Sequence, residues 1–379
     1  MRRIPIATHF TVFHRFTVSR MGLRVCSASG NVEVPHGAVD HARLLCKVVE
    51  GDNPESIKRK RIRGVVRKIE GEYTNWLGEC GRGDCFLMLT SLAKSARYLG
   101  RKVQQGTAGF KQDDEWSGVS PFFSPGVNDW LCALLQRSAS FVTGPEECMV
   151  LLTVAVDLEL GDTQTLRQLC GWVTGKQYTL RASLEELVCV LRLISLLVKR
   201  CRMPIPSLDN MLFRLLGATL DSRQSLTVLS SMVRLRERSS VDVVRCISRR
   251  ATVTVNSYTV RDVIYALEAI SLLNCCHEAY AGAVLDRCTV LCVELKPTEL
   301  GSVCKYVALL NVSRANNSIA LACARELRRL LPALLSRTEA LLGRFSLRDA
   351  RCVLRCLEQH NVRHSVVFSR LTPLVSDLK

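Results

Sequence analysis

A chain of 379 residues with 47% hydrophobic and only 6% aromatic side chains suits an aliphatic helical core, in one long array or two compact domains. Its 52 Lys and Arg against 35 acids leave a formal charge of +17, which directs attention to an anionic partner. No uninterrupted apolar run reaches the ~20 residues of a membrane span, so no membrane partner is expected.

Residues 1–32 carry Arg2, Arg3, Arg15, Arg20 and Arg24, several hydroxyl residues and no acid. That composition reads as a mitochondrial transit-like leader, disordered and basic, and places the protein in the mitochondrial matrix. Residues 33–140 form a basic segment richer in Pro and Gly, in which any helical repeats are degenerate. Its densest cluster holds Lys58, Arg59, Lys60, Arg61, Arg63, Arg67 and Lys68, seven basic residues in eleven. Such a run binds phosphates by Coulomb attraction and counterion release, with little sequence preference; a solvated linker or a nuclear-localisation patch would have the same composition.

From about residue 141 to 379 a helix-start signature recurs. Its anchors are Glu146, Glu186, Gln224, Asp262, Glu299 and Asp349, stepping by 40, 38, 38, 37 and 50. A capping residue stands three places before most of them: Thr143, Ser183, Asp221, Thr259 and Ser346. The fifth copy instead reads Lys296-Pro297-Thr298-Glu299, with Pro297 at the first helical position. Offsets +1, +4, +5 and +8 from each anchor should share one helical face, and 22 of those 24 positions are apolar where a 47% composition would give half. Glu147 and Ser225 are the exceptions. Asn274, Asn311 and Asn361 recur at offset +12 as helix stops. Second apolar-periodic stretches follow at Ser207–Leu220, Val241–Arg250, Glu278–Leu291, Asn317–Leu342 (interrupted near Pro332) and His364–Ser376. The fold class expected is all-α, an α-solenoid of armadillo/HEAT-like helix-turn-helix repeats, whose function lies in an extended surface.

The last units offer a second candidate RNA-binding surface. Arg344, Arg348, Arg351 and Arg355 recur at helical spacing, and Arg325, Arg328 and Arg329 crowd the preceding helix. Arginine's planar fork suits phosphate, although an ordinary solvated face would look alike. The eighteen cysteines, several within the apolar stripe, read as reduced core residues without a secretory signal. Cys80 and Cys85 lack a second pair at finger-like spacing, and Cys352, Cys356 and His360 lack a fourth ligand. No phosphate loop, dinucleotide fingerprint, metalloprotease helix or serine elbow occurs. No catalytic residue, metal, cofactor or small-molecule substrate is therefore expected.

Capped helical pairs with this period at Ser183–Lys199, Thr259–Asn274, Lys296–Asn311 and Ser346–Asn361, behind an Arg-rich leader, resemble the armadillo/HEAT-like repeat subunits of the kinetoplastid mitochondrial RNA-editing substrate-binding complex. The resemblance implies a non-catalytic subunit that holds RNA (guide RNA or mRNA) or bridges protein subunits during uridine insertion and deletion editing. A mitochondrial ribosomal or ribosome-assembly protein contacting rRNA, and a purely protein-binding adaptor, are the competing expectations.

Overall fold

In the computed structural model the described residues are 37–106, 127–161, 163–235, 241–310 and 318–376. The leader at 1–32 and the stop residue Asn311 lie outside them. Among the described residues every regular element is helical. The chain divides into two compact units, Met1–Lys102 with Gly118–Val173 and Val103–Ser117 with Thr174–Lys379. The boundary thus falls inside the stretch expected to run unbroken from 141.

The first unit contains α1 (Gly37–Glu50), α2 (Glu55–Trp76), α3 (Arg82–Gly106), α4 (Val127–Ala139), α5 (Pro145–Leu158) and α6 (Gln164–Thr174). Helix α2 packs on α1 and α4, and α4 packs on α5. Polar contacts join the alternate helices. Cys46 Sγ lies 3.2 Å from Ser91 Oγ between α1 and α3, and Arg97 Nε donates to Asp157 at 2.6 Å between α3 and α5. Among the described residues before 140 every regular element is again a helix, and α1 and α2 pack as a hairpin.

The second unit runs through α7 (Lys176–Arg181), α8 (Leu184–Cys201), α9 (Asp209–Gly217), α10 (Ser222–Leu235), α11 (Val241–Ala251), α12 (Val260–Leu273), α13 (Glu278–Leu291), α14 (Pro297–Val307), α15 (Ser318–Ala322), α16 (Ala324–Ala340), α17 (Leu347–Gln359) and α18 (Ser365–Ser376). Two layers result. Helices α8, α10, α12, α14 and α17 pack side by side in that order, while α7, α9, α11, α13 and α16 form a second row behind them. Each position of the apolar stripe in the five first-layer helices is buried, from Leu187 to Leu357. Burying such side chains is worth about 1.5–3 kcal/mol each, which no isolated hairpin could collect on both faces.

The caps form largely as the spacing requires. Ser183 and Glu186 make a reciprocal box, as do Thr259 with Asp262 and Asp221 with Gln224. Ser346 accepts from the Asp349 N–H at 3.2 Å. At the fifth start only half the exchange exists, the Lys296 N–H donating to Glu299 at 2.8 Å, because lysine carries no acceptor. Asn274 and Asn361 hold left-handed backbone, with φ of 50° and 55°.

Two expectations need correction. The first copy is anchored by Glu147, one residue later than Glu146. Gly144 is the cap, Pro145 opens the helix, and the Glu147 carboxylate accepts the Thr143 N–H at 2.8 Å. With that register its stripe becomes Cys148, Leu151, Leu152 and Ala155, all buried. The break in the long second helix falls at Cys323, between α15 and α16. Helix α16 includes Pro332 without ending there, and Pro332 is exposed, so the Arg328 carbonyl that loses its N–H partner lies on a solvent-facing side.

One device repeats in the second layer. Arg214 donates to the Ala182 carbonyl at 2.7 Å, Arg250 to Ala218 at 2.6 Å, Arg287 to Tyr258 at 3.1 Å and Arg337 to Leu295 at 2.7 Å. Each arginine sits on the second helix of a hairpin and holds the loop that enters the first. Within the first unit Arg137 on α4 reaches the Gly78 carbonyl, in the loop entering α3, at 3.3 Å.

Candidate nucleic-acid interface

Helix α2 turns the basic run into one face. Ile62, Val65, Val66 and Ile69 recur at helical spacing and are buried, which forces Lys60, Arg61, Arg63, Arg67 and Lys68 outward, where all five are exposed. Like charges four apart, as Arg63 and Arg67 are, cost a helix about 0.2–0.5 kcal/mol per pair, a cost that a bound polyanion removes. The first two candidates behave differently. Lys58 Nζ donates to the Val49 carbonyl at 3.4 Å and lies 5.4 Å from the Tyr98 ring centroid. It stitches α2 to its neighbours. Arg59 is half-buried.

The structure separates the C-terminal arginines that were grouped by proximity in sequence. Arg325, Arg328 and Arg329 are exposed on α16, in the second layer, and Arg329 stands 4.0 Å from Asp286. Arg348, Arg351 and Arg355 are exposed on α17, in the first layer, with Arg344 exposed in the loop before it. They present two surfaces.

Arg348 and Arg355 are joined on the first layer by further cations, Arg192, Arg223, Arg234, Arg261 and Lys305, that reading along the sequence did not single out. Offsets −1, +3, +6 and +10 define the face opposite the apolar stripe. They carry Arg223, Arg261 and Arg348 at −1, Arg192, Lys305 and Arg355 at +6, and Arg234 at +10. The same register that exposed the core stripe would have found them. Arg192 and Arg234 are half-buried. Burial and the neighbouring guanidiniums of Arg234 and Arg261 push the Arg192 pKa down. Arg261 lies 5.4 Å from the Tyr265 ring centroid and donates to its hydroxyl at 3.0 Å. Two acids share the face, Glu185 and Glu268; the latter accepts from the Tyr306 hydroxyl at 3.0 Å.

The cysteine groupings do not converge on a ligand site. Cys80 and Cys85 are buried, and burial raises the Cys80 pKa to about 12. Cys356 is hydrogen-bonded to Cys304 inside the core, whereas the His360 ring nitrogen meets the Val307 carbonyl at 3.0 Å. Among the described residues no three His, Cys, Asp or Glu gather where they could hold a metal, and no helix is long and apolar enough to cross a membrane.

The class the architecture defines is an all-α array of stacked helical hairpins. Comparison with protein-family models, curated proteins and solved structures gave no match.

Proposed function

We propose that this chain is a non-catalytic RNA-binding scaffold of a mitochondrial ribonucleoprotein assembly, acting in mRNA processing or uridine insertion and deletion editing. The observation that carries the reading is the exposed cationic face of α2, with Lys60, Arg61, Arg63, Arg67 and Lys68 displayed by a buried apolar seam. A rigid helix holding five cations toward solvent recognises a phosphate backbone rather than a small molecule. The Arg-rich, acid-free leader supports the mitochondrial part of the reading.

RNA binding titrated with salt tests it. Five phosphate contacts on a single strand give a log-affinity against log-salt slope near about −3.5. Changing Lys60, Arg61, Arg63 and Arg67 to Gln should flatten that slope by about 2.8. A wild-type slope near zero would leave the adaptor reading. That second reading has its own support in the exposed apolar side chains Leu180, Phe213, Val253, Val290 and Val293, all contributed by the second layer and its connections. Purification from mitochondria with and without nuclease separates the two, since only an RNA-bridged assembly falls apart on digestion.

A further inference from the structure

The first layer of the second unit presents a feature distinct from α2. Adjacent packed helices lie about 8–10 Å apart, and α8, α10, α12, α14 and α17 stand in consecutive contact. On the face away from the core their cations fall in two rows. One row holds Arg223, Arg261 and Arg348, and the other holds Arg192, Lys305 and Arg355. Seven residues separate the rows along each helix, or about 10 Å at 1.5 Å per residue. Between them, at offset +3, lie Cys189, Thr227, Tyr265, Ser302 and Cys352, small side chains apart from Tyr265. A strip of that width, flanked by cations and floored by small residues, accepts one extended chain. Charge repeated at each helix matches a ligand whose own charge repeats. Tyr265, half-buried with the Arg261 guanidinium 5.4 Å from its ring centroid, is the one aromatic side chain among these five.

We infer that this strip is a seat for single-stranded RNA, in which Arg192, Arg234 and Arg261 hold consecutive backbone phosphates and Tyr265 stacks one base. The inference rests on the RNA-binding reading above and names a second, separate contact surface for it. An acidic peptide is the other polyanion to consider, but its Asp and Glu side chains carry no aromatic ring to stack on Tyr265. Glu185 and Glu268 thin the charge at two positions of the α8–α10–α12 end, where the Arg234 and Arg261 guanidiniums neighbour Arg192.

The test uses the full chain and a fluorescent single-stranded oligouridylate. The pair Arg192→Gln and Arg261→Gln should weaken binding at least about tenfold at moderate salt and flatten the log–log salt slope by about 1.4, two phosphate contacts on a single strand. Arg192→Lys with Arg261→Lys should keep the slope. Ultraviolet crosslinking of the wild-type chain should place RNA on the peptide containing Tyr265. The seat is overturned if the Gln pair binds like wild type while the α2 variant loses binding, an outcome that leaves the RNA reading intact. It is also overturned if a duplex or a polyglutamate of equal charge binds as tightly as the single strand. Wild type failing to bind any RNA removes both readings together. Should the Gln pair not fold, the crosslink decides, and its absence from the Tyr265 peptide overturns the seat.

Discussion

Single residues set how closely the hairpins approach. At Gly301 on α14, a Cβ would stand 2.7 Å from an Asp349 carboxylate oxygen and 3.0 Å from the Asp349 Cα. The near neighbours include backbone, so the helix α17 itself would have to shift. Asp349 also caps α17 through Ser346, whose hydroxyl donates to it at 2.6 Å, so the shift would strain that start too. Gly301→Ala is expected to lose about 1–3 kcal/mol by overpacking, against a helix-propensity gain of about 1 kcal/mol. Urea unfolding of the two proteins checks it, and an unchanged or raised midpoint would show that α17 yields without cost. Gly282 on α13 is the useful contrast, since its nearest neighbours are the flexible Glu326 side-chain carbons at 3.9 Å.

At the scale of elements, the repeated arginine matters because it joins parts that apolar packing leaves only loosely oriented. A loop carbonyl accepting from a guanidinium fixes the angle at which the next first-layer helix departs, and a charge-assisted bond of this kind is worth about 1.5–3 kcal/mol. Arg287→Leu should therefore destabilise by about 2 kcal/mol, because the Tyr258 carbonyl loses its partner in a half-buried place. Arg287→Lys should recover part of that, lacking the planar fork. Hydrogen exchange would report the loss at the Tyr258 to Asp262 amides first; uniform loss across the unit would instead mean that the arginine holds no particular joint.

Starts of the first-layer helices, and the stops at Asn274 and Asn361, were legible in the sequence because caps, prolines and Asn stops act within one turn. The arginine staples were not, since their partners lie 29 to 42 residues away. The helices before residue 140 were faint for another reason. In α3 the buried face includes Ser91, Ser95, Ala93 and Ala96, so the apolar period is muted. That unit's helices are joined by ion pairs such as Arg82 with Glu147 and Arg97 with Asp157, which leave no hydrophobic trace. Of the candidate interface, the α2 run was visible as density of charge. The two first-layer rows were visible only at Arg348 and Arg355, because each other helix contributes only one or two cations and only stacking aligns them.

Over the whole molecule, the buried thiols give stability a definite dependence on alkaline pH. Burial raises the pKa of Cys148, Cys292 and Cys323 from 9.0 to about 11, and burial does the same for Cys189, helped by Glu185. A thiol in the unfolded chain begins to ionise near its ordinary value, whereas the folded one stays protonated. The folded state then binds more protons than the unfolded state, so stability falls as pH rises. Below pH 9 the contribution is constant; between about 9 and 11 each such thiol subtracts about 1.4 kcal/mol per pH unit. Because the thiols lie in both units, α5 holding Cys148 and α8 holding Cys189, the loss should be felt along the whole chain. Thermal melts should show a midpoint flat from pH 7.5 to 8.5 and falling steeply above pH 9, with Cys148→Ala and Cys323→Ala together shallowing the fall. A midpoint independent of pH up to about 10.5 would mean that the thiols ionise alike in both states, and that these cysteines are not the packed core residues that their burial indicates.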